Sequence, residues 1–204
     1  MWKTLEKRLE SLNIDNIEYL ILTHTHFDHA ANAQKIKEKY KIQVLVHKSE
    51  VSFLTRGENI VPEGTNFIAK TIVDLFAKRF LSFSRYKPCQ YDILINNSFD
   101  LSCIGFNAYI LHTPGHTTGS LSIIVDNEIA IVGDTMFGVF KWSVFPPFAN
   151  DIIQMIRSWG ILLETDCRIF IPSHGTENTR LRVQKEYNKW IRFYNLPKNQ
   201  SNNS

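Results

Sequence analysis

The spacing of apolar residues changes along the chain, and these changes outline the predicted elements. Apolar residues three or four positions apart are typical of a helix with one buried face, whereas short apolar runs between turn residues are typical of strands. Helical spacing predicts amphipathic helices at residues 2–12, 68–83, 152–163 and 183–194. The other apolar residues are grouped in short runs, which predict strands.

Two of these runs flank a stretch of good helix formers near the start of the chain. Residues 17–23 and 42–46 are largely apolar, and residues 30–39 between them are mostly alanine and lysine, which predicts a βαβ unit. Later runs predict strands at 92–95, 99–103, 106–111, 120–125, 128–132 and 168–171, with a hairpin turn at Asp126-Asn127. Strands that alternate with helices predict an α/β fold.

The composition is that of an ordinary globular chain. With 204 residues it can bury a core as one domain, which we expect to span residues 1–198 ahead of a disordered polar tail at 199–204. The net charge of +3 is too small to argue for a nucleic-acid partner, and no apolar run is long enough to cross a membrane. The three cysteines form no CxxC pair and no disulfide framework, so we expect a reducing, cytoplasmic location.

The segment 24–29, HTHFDH, holds three imidazoles and a carboxylate directly after the first predicted strand. A single histidine is usually a surface residue or a hydrogen-bonded core residue. Four ligand-type side chains in six residues are different, because burying them without partners would be costly. The cluster therefore indicates a metal site. Because side chains from one turn cannot surround an ion completely, we expect further ligands later in the sequence.

Three later strands each end in one such ligand beside a glycine or proline that tightens the turn. They are followed by His116 in TPGHT, Asp134 in GDT and His174 in SHG. The complete candidate set is His24, His26, Asp28, His29, His116, Asp134 and His174. These seven side chains are too many for one tetrahedral zinc and suit two ions that share a carboxylate. Of the remaining histidines, His47 is interpreted as structural and His112 as structural or as a support for a ligand.

The ordered motifs HTHFDH, TPGHT, GDT and SHG, from about residue 17 to residue 175, resemble the signature of the metallo-β-lactamase superfamily. The resemblance implies an αββα sandwich and two divalent metal ions, with zinc expected. It implies that one ion is held by His24, His26 and His116 and the other by Asp28, His29 and His174, with Asp134 between them. Imidazole and carboxylate ligands also suit iron and manganese.

The same resemblance implies a hydrolase in which metal-bound hydroxide is the nucleophile. Asp28 is then the catalytic side chain that orients the nucleophile and shuttles its proton. His26 stands where the di-iron, oxygen-reducing relatives have glutamate, which favours hydrolysis over redox chemistry. The free cysteines lie outside the motifs and are interpreted as buried apolar residues.

The range of possible substrate classes is narrowed mainly by comparing the chain with related hydrolases that it does not match. GDTMF at 133–137 resembles hydroxyacylglutathione hydrolases, but their cysteine-containing, lysine-bearing loop should follow, and residues 138–142 read GVFKW. Residues 175–204 are also too few for the helical domain of those enzymes. Phe137 stands where homoserine-lactone hydrolases usually have tyrosine. The prediction is hydrolysis of a small ester, thioester or lactone; the alternatives are a phosphodiesterase and a truncated, inactive metal-binding relative.

Two features leave alternatives open. The aromatic segment 137–148 either lines an apolar substrate pocket or packs as ordinary core.

The resemblance also implies strands ahead of the first motif that residues 1–23 do not supply. We expect the first sheet to have an unpaired edge and uncovered apolar residues, which lead to a homo-oligomer through that edge or to reduced stability. Alternatively, the helices at 2–12 and 65–83 cover the gap.

Overall fold

The computed structural model describes residues 2–12, 17–59, 63–65, 71, 73, 75 and 84–197. Its helices of the α type are α1 Trp2–Ser11, α2 Phe27–Ala30, α3 Ala33–Tyr40, α4 Val51–Arg56, α5 Ile152–Glu164 and α6 Arg180–Phe193. Its strands are β1 Tyr19–Ile21, β2 Gln43–His47, β3 Ile93–Ile95, β4 Ser98–Asp100, β5 Ala108–His112, β6 Leu121–Val125, β7 Ile129–Gly133, β8 Ile169–Pro172 and β9 Asn178–Thr179.

The first sheet contains β1, β2 and β3 in that order, and all three strands are parallel. The chain passes from β1 through α2 and α3 into β2, so the predicted βαβ unit is confirmed. Val44, Leu45 and Val46 are fully buried in β2, since a parallel strand is covered on both faces and reads as a continuous apolar run. The predicted helix at 30–39 is in fact two short helices, α2 and α3, separated at residues 31–32.

The second sheet contains β4 to β9 in sequence order. Neighbouring strands are antiparallel except for β7 and β8, which are parallel. Asp126 and Asn127 both have φ of 54°, as a two-residue hairpin turn requires, and this confirms the predicted turn between β6 and β7. The strand predicted at 99–103 ends earlier because the Asp100 carboxylate accepts hydrogen bonds from the Ser102 backbone nitrogen and hydroxyl and turns the chain.

Three apolar layers hold the sheets and helices together. The layer between the first sheet and its helices includes Leu22, Val44 and Leu54. The layer between the sheets includes Leu45, Ile95, Ile110, Leu121 and Ile123. The layer between the second sheet and α5 and α6 includes Met155, Trp159, Phe170 and Val183. The order helix, sheet, sheet, helix is the predicted αββα sandwich.

One part of the second sheet is left uncovered. Ile131 in β7 pairs with Ile123, which belongs to the layer between the sheets, and with Ile171 in β8, so all three share that face. Ile123 is buried, whereas Ile131, Ile169 and Ile171 are 39–40% exposed. Within the described residues the first sheet has three strands, and β1 is paired on one side only. The expected unpaired edge and uncovered apolar residues are therefore present.

The first helix does not cover this gap. Lys39 of α3 forms ion pairs with Glu6 and Glu10, so α1 lies beside α3 on the outer side of the first sheet. The helix predicted at 68–83 falls mostly outside the described residues, although residues 71, 73 and 75 are helical. The predicted tail at 199–204 also lies outside them.

Some side chains differ from their predicted roles. Cys89 and Cys167 are buried as expected, but Cys103 is exposed, and all three are free thiols. At the start of α6, Arg180 donates to the carbonyl oxygens of Leu163, Thr165 and Cys167 and so caps the end of α5. In the described part of the chain, no helix has the length and apolar composition needed to cross a membrane.

Candidate metal centre

All seven predicted ligands lie at one end of the sandwich, on loops that follow strands. His24, His26, Asp28 and His29 follow β1, and the last two belong to the one-turn helix α2. His116 lies between β5 and β6, Asp134 directly follows β7, and His174 follows β8. The sequence motifs therefore converge in space as predicted.

Three imidazoles form a closed group, which we call the buried triad: His24, His26 and His116. The ring nitrogen Nδ1 of His26 lies 3.1 Å from His24 Nε2 and 3.0 Å from His116 Nε2. These side chains are only 1%, 7% and 2% exposed. His116 Nδ1 donates to the Phe148 carbonyl at 2.9 Å, which fixes the tautomer and leaves the Nε2 lone pair directed at the other two rings.

Asp28, His29 and His174 form a second group, which we call the open triad. Asp28 Oδ2 lies 3.2 Å from His174 Nε2 and 3.5 Å from His29 Nε2. The side chains of Asp28 and His174 are 50% and 39% exposed, whereas that of His29 is 12% exposed. The open triad therefore faces solvent at the mouth of the site, and the buried triad lies beneath it.

Asp134 stands between the two triads and is almost fully buried. Its Oδ2 lies 3.6 Å from His116 Nε2 in the buried triad and 3.5 Å from His174 Nε2 in the open triad. Its Oδ1 lies 3.5 Å from His29 Nε2. Within each of three ligand sets, all ligand atoms lie within 4.8 Å of one another; the sets are the buried triad, the open triad, and His24 with His29 and Asp134.

Burial and neighbouring charges set the protonation of these groups. Burial, together with the neighbouring histidines, lowers the pKa of His24 and brings that of His26 to about 3, and burial lowers that of His116. Burial alone would raise the pKa of Asp134, but the surrounding histidines outweigh it and hold the carboxyl below its ordinary pKa. Interaction with Asp134 raises the pKa of His174. At neutral pH the buried triad thus offers uncharged imidazoles with free lone pairs.

The donor set and its unpaired atoms fit divalent metal ions. His29 Nε2 and Asp134 Oδ1 are buried, lie 3.5 Å apart and have no hydrogen-bond partner. Buried polar atoms without partners are rare and costly, and a cation held between them would satisfy both. Five imidazoles and two carboxylates are ligands that suit zinc, iron or manganese.

Glycines beside the ligands allow close contacts that a side chain would prevent. Gly133, just before Asp134, has φ of +55°, and a Cβ there would lie 2.8 Å from Thr23 Cβ. Gly115, just before His116, has φ of +132°, and a Cβ there would lie 2.2 Å from the Met155 backbone nitrogen. Both positions therefore require glycine to bring a ligand loop against its neighbour.

Several residues that hold the first ligand loop were not predicted from the sequence. The Glu50 carboxylate accepts hydrogen bonds from Thr25, the Asn59 side chain accepts one from the Phe27 backbone nitrogen, and the Tyr86 hydroxyl donates to the Thr25 carbonyl. They lie outside any motif, and their only sequence signal is that Glu50 follows the strand β2.

The two remaining histidines lie outside both triads. The rings of His47 and His112 stack with centroids 4.0 Å apart and planes 15° apart. His47 Nε2 donates to the Asn96 carbonyl, and His112 Nε2 donates to the Thr118 carbonyl at 2.8 Å. His112 thus contacts the loop that carries His116, in agreement with a supporting role.

Part of the aromatic segment 137–148 lies near the candidate ligands, and part of it packs as ordinary core. The Phe137 ring lies 4.8 Å from the His174 ring, and Val139, Phe140 and Trp142 beyond it are exposed. Phe145 instead packs against Trp159 and Trp190 as part of the core. A cavity of about 270 Å³ lies beside it, lined by Thr65, Phe140, Ser143, Phe145, Pro146, Pro147, Trp190 and Tyr194.

Comparison with known proteins agrees with the fold and the motifs. The family model of the metallo-beta-lactamase superfamily matches residues 1–174. A probable metallo-hydrolase of Methanocaldococcus jannaschii is 30% identical over 183 residues, which cover 87% of this chain and 79% of that protein. A hydroxyacylglutathione hydrolase, GloC, of Haemophilus influenzae is 29% identical over 178 residues, which cover 86% of this chain and 76% of that enzyme.

The fold is also shared with a solved structure. The crystal structure of an archaeal metallo-beta-lactamase superfamily protein from Sulfolobus tokodaii superimposes with a TM-score of 0.64 at 19% identity, covering 95% of this chain and 75% of that one. The family match spans all the ligand motifs up to His174, and it joins the sandwich fold to the convergent histidines and carboxylates. The chain therefore belongs to the metallo-β-lactamase superfamily and is a metallo-hydrolase.

Proposed function

We propose that the chain is a dinuclear hydrolase of small esters, thioesters or lactones, with zinc as the resident ion. The observation that carries the proposal is the position of Asp134, whose carboxylate oxygens face ligands of both triads at 3.5–3.6 Å. The buried triad would hold one ion, the open triad would hold the other, and Asp134 would contact both.

The pair of ions would lower the pKa of a shared water molecule and so supply a nucleophile near neutral pH. The chain's own residues would prepare the rest of the site. Asp28 is half exposed at the mouth, where its carboxylate can orient that water and accept its proton. The Phe137 ring packs against the His174 ring and would shield one side of it from solvent.

A thioester is the substrate class best supported within this group. The Haemophilus relative acts, by its name, on hydroxyacylglutathione, which carries its acyl group on sulfur. Val139, Phe140 and Trp142 are exposed and follow Phe137 in the chain, and they offer an apolar surface suited to an acyl chain.

Metal loading combined with a substrate panel tests the proposal. Metal-free protein would be reloaded with Zn²⁺, Fe²⁺ or Mn²⁺ and assayed on acyl-glutathione thioesters, lactones, p-nitrophenyl esters and bis-p-nitrophenyl phosphate. We expect two ions per chain and turnover of thioesters or esters. Turnover of the phosphodiester alone would identify a phosphodiesterase instead, and absence of turnover with every metal would identify an inactive metal-binding relative.

We also propose that two copies of the chain associate through the edge of β1 that no described strand pairs with. Two identical edges can pair antiparallel about a two-fold axis, and the partner would then cover the exposed Ile131, Ile169 and Ile171. Size-exclusion chromatography with light scattering should show a dimer, and Ile171→Asp should shift it towards monomer. A wild-type chain that is a stable monomer would overturn this proposal without affecting the proposed reaction.

A further inference from the structure

Glu50 is a fully buried carboxylate that the proposed reaction does not use. Its Oε2 accepts hydrogen bonds from the Thr25 backbone nitrogen at 3.0 Å and from the Thr25 hydroxyl at 2.5 Å, and its Oε1 accepts one from the Gly119 backbone nitrogen at 3.2 Å. Among the described residues it forms no ion pair with a basic side chain. Burying a charge is costly unless it is compensated, so these donors define where the carboxylate must sit.

The partners of Glu50 lie in two different ligand loops. Thr25 stands between His24 and His26, and Gly119 follows His116 in the turn that ends at β6. The buried triad is assembled from these same two loops, across the contact of 3.0 Å between His26 Nδ1 and His116 Nε2. The Glu50 carboxylate therefore joins the loop that carries His24 and His26 to the loop that carries His116.

The contact with Gly119 is too close for any other residue. A Cβ at this position would lie 2.4 Å from Glu50 Cγ and 2.8 Å from Oε1. The backbone of Gly119 does not have a positive φ, so glycine is required here by the approach of Glu50 and not by the conformation of the loop. The loop that carries His116 is thus packed directly onto the carboxylate.

Besides Glu50, the Leu121 backbone nitrogen joins these two loops by donating to the Thr23 carbonyl at 2.8 Å, whereas the following side-chain contacts each hold one loop. Asn59 and Tyr86 bind the first loop, and the Phe148 carbonyl binds the His116 ring. We propose that Glu50 is a positioning residue, which sets the separation between the His24–His26 pair and His116 and thereby the affinity of the buried triad for its ion. The inference rests on the metal centre proposed above.

Two conservative substitutions test this role. Glu50→Gln keeps the shape but turns an amide NH₂ towards N–H or O–H donors, and Glu50→Asp is too short to reach both loops. We expect either change to weaken the tighter of two zinc affinities by about 10- to 100-fold, as is typical when a group that orients metal ligands is lost. Competition with a chromophoric chelator measures the affinity, and the visible spectrum of the Co²⁺-loaded protein should change.

Asp92→Asn is the matched control. Asp92 also joins two segments through its carboxylate, since it accepts from the Val44 backbone nitrogen at 2.8 Å and from Lys37 Nζ at 2.6 Å. It lies at the opposite end of β2 from Glu50, away from the ligands. We expect this variant to bind zinc with wild-type affinity and to keep the wild-type Co²⁺ spectrum, even if its melting temperature falls.

A double-mutant cycle gives a second, independent measurement. Gly119→Ala should weaken zinc binding when Glu50 is present, and it should have a much smaller effect in a Glu50→Ala background, because the added methyl group acts through the carboxylate. Unchanged affinity and an unchanged Co²⁺ spectrum in Glu50→Gln and Glu50→Asp would overturn the proposal. So would a lower melting temperature with unchanged affinity, which a purely structural role predicts.

The metal content of the wild-type chain distinguishes a failure of the role proposed for Glu50 from a failure of the proposed metal centre. If the wild-type chain binds no metal at all, the proposed centre fails and the role of Glu50 fails with it. If the wild type binds zinc and both Glu50 variants bind it equally well, only the role of Glu50 is overturned. Weaker binding that is confined to the Glu50 and Gly119 variants supports the proposal.

Discussion

The buried and open triads are built partly from the same short loop, yet their surroundings differ sharply. The imidazoles of the buried triad are at most 7% exposed, and His116 is fixed by a backbone carbonyl. The open triad replaces one imidazole with the carboxylate of Asp28, and two of its three side chains are at least 39% exposed. An enclosed site favours firm retention of an ion, whereas an open site admits substrate and exchanges ligands with solvent.

The difference arises where the chain turns into α2. His26 lies just before this one-turn helix and points inward, whereas Asp28 and His29 lie within it and reach towards the mouth. Asp134 then connects the two environments from beneath, at 3.6 Å from His116 and 3.5 Å from His174. A single turn of chain thus divides one motif between an enclosed group of side chains and an exposed one.

Removal of the connecting carboxylate should have the largest effect. Asp134→Ala removes the carboxylate that would contact both ions, so we expect metal content to fall below two ions per chain. We expect kcat/KM to fall on the order of 10³-fold or more, since the loss of one electrostatic group in an active site already costs 10²- to 10³-fold. Elemental analysis and a thioesterase assay measure the two effects. Two retained ions with near-normal turnover would show that the triads do not depend on Asp134.

Substitution of one candidate ligand in each triad should show that the two triads differ in metal retention and in their contribution to stability. His174→Ala should lose the ion of the open triad, keep the other ion and leave the stability of the metal-free chain within about 0.5 kcal/mol, because the side chain is partly exposed. His116→Ala should lose the ion of the buried triad and destabilise the metal-free chain by about 1–3 kcal/mol, since the Phe148 carbonyl loses its donor. Metal analysis and urea unfolding measure both. Equal behaviour of the two variants would contradict the division.

The grouping of the seven candidate ligands could be predicted because ligand-type side chains stand out in short motifs. The βαβ unit could be predicted because its apolar runs are local in the sequence. The contrast between the triads could not, since the sequence does not show that Asp28 faces solvent while His26 is enclosed. Glu50 was missed for the same reason, because its partner Gly119 is 69 residues away along the chain. Strand ends were also misjudged, as the apolar run at 17–23 continues beyond the three residues of β1 that pair.

Acidification should empty the two triads in order. Interaction with Asp134 raises the pKa of His174, so a proton competes for its lone pair at a higher pH than at an ordinary histidine. Burial lowers the pKa of His24 and His116 and brings that of His26 to about 3, so protons compete weakly there. We expect activity and the open-triad ion to be lost first as pH falls. Co²⁺ spectra recorded with activity across pH would show this order, and earlier loss of the buried ion would contradict it.

The metal-free chain should show the smallest effect, a dependence of stability on pH. His24, His26 and His116 have lowered pKa values in the folded state, so below about pH 6.5 the unfolded chain binds more protons than the folded one. Stability should therefore fall as pH falls from 7 to 5, with a slope of up to about 1.4 kcal/mol per pH unit for each histidine. His174 has the opposite sign, because its raised pKa stabilises the fold at low pH and this contribution is lost as pH rises.

Burial also lowers the pKa of His47, so four histidines of one sign stand against one of the other and leave a net loss of stability towards acid. Three of the four belong to the buried triad. Urea unfolding with chelator present, at pH 5, 6 and 7, measures it. His26→Gln should reduce the slope, because it removes a buried group whose pKa is lowered to about 3 in the folded state. His174→Ala should make the slope steeper, because it removes the one opposing contribution. A slope that neither variant changes would mean that the triads do not differ in their electrostatic surroundings before metal binds.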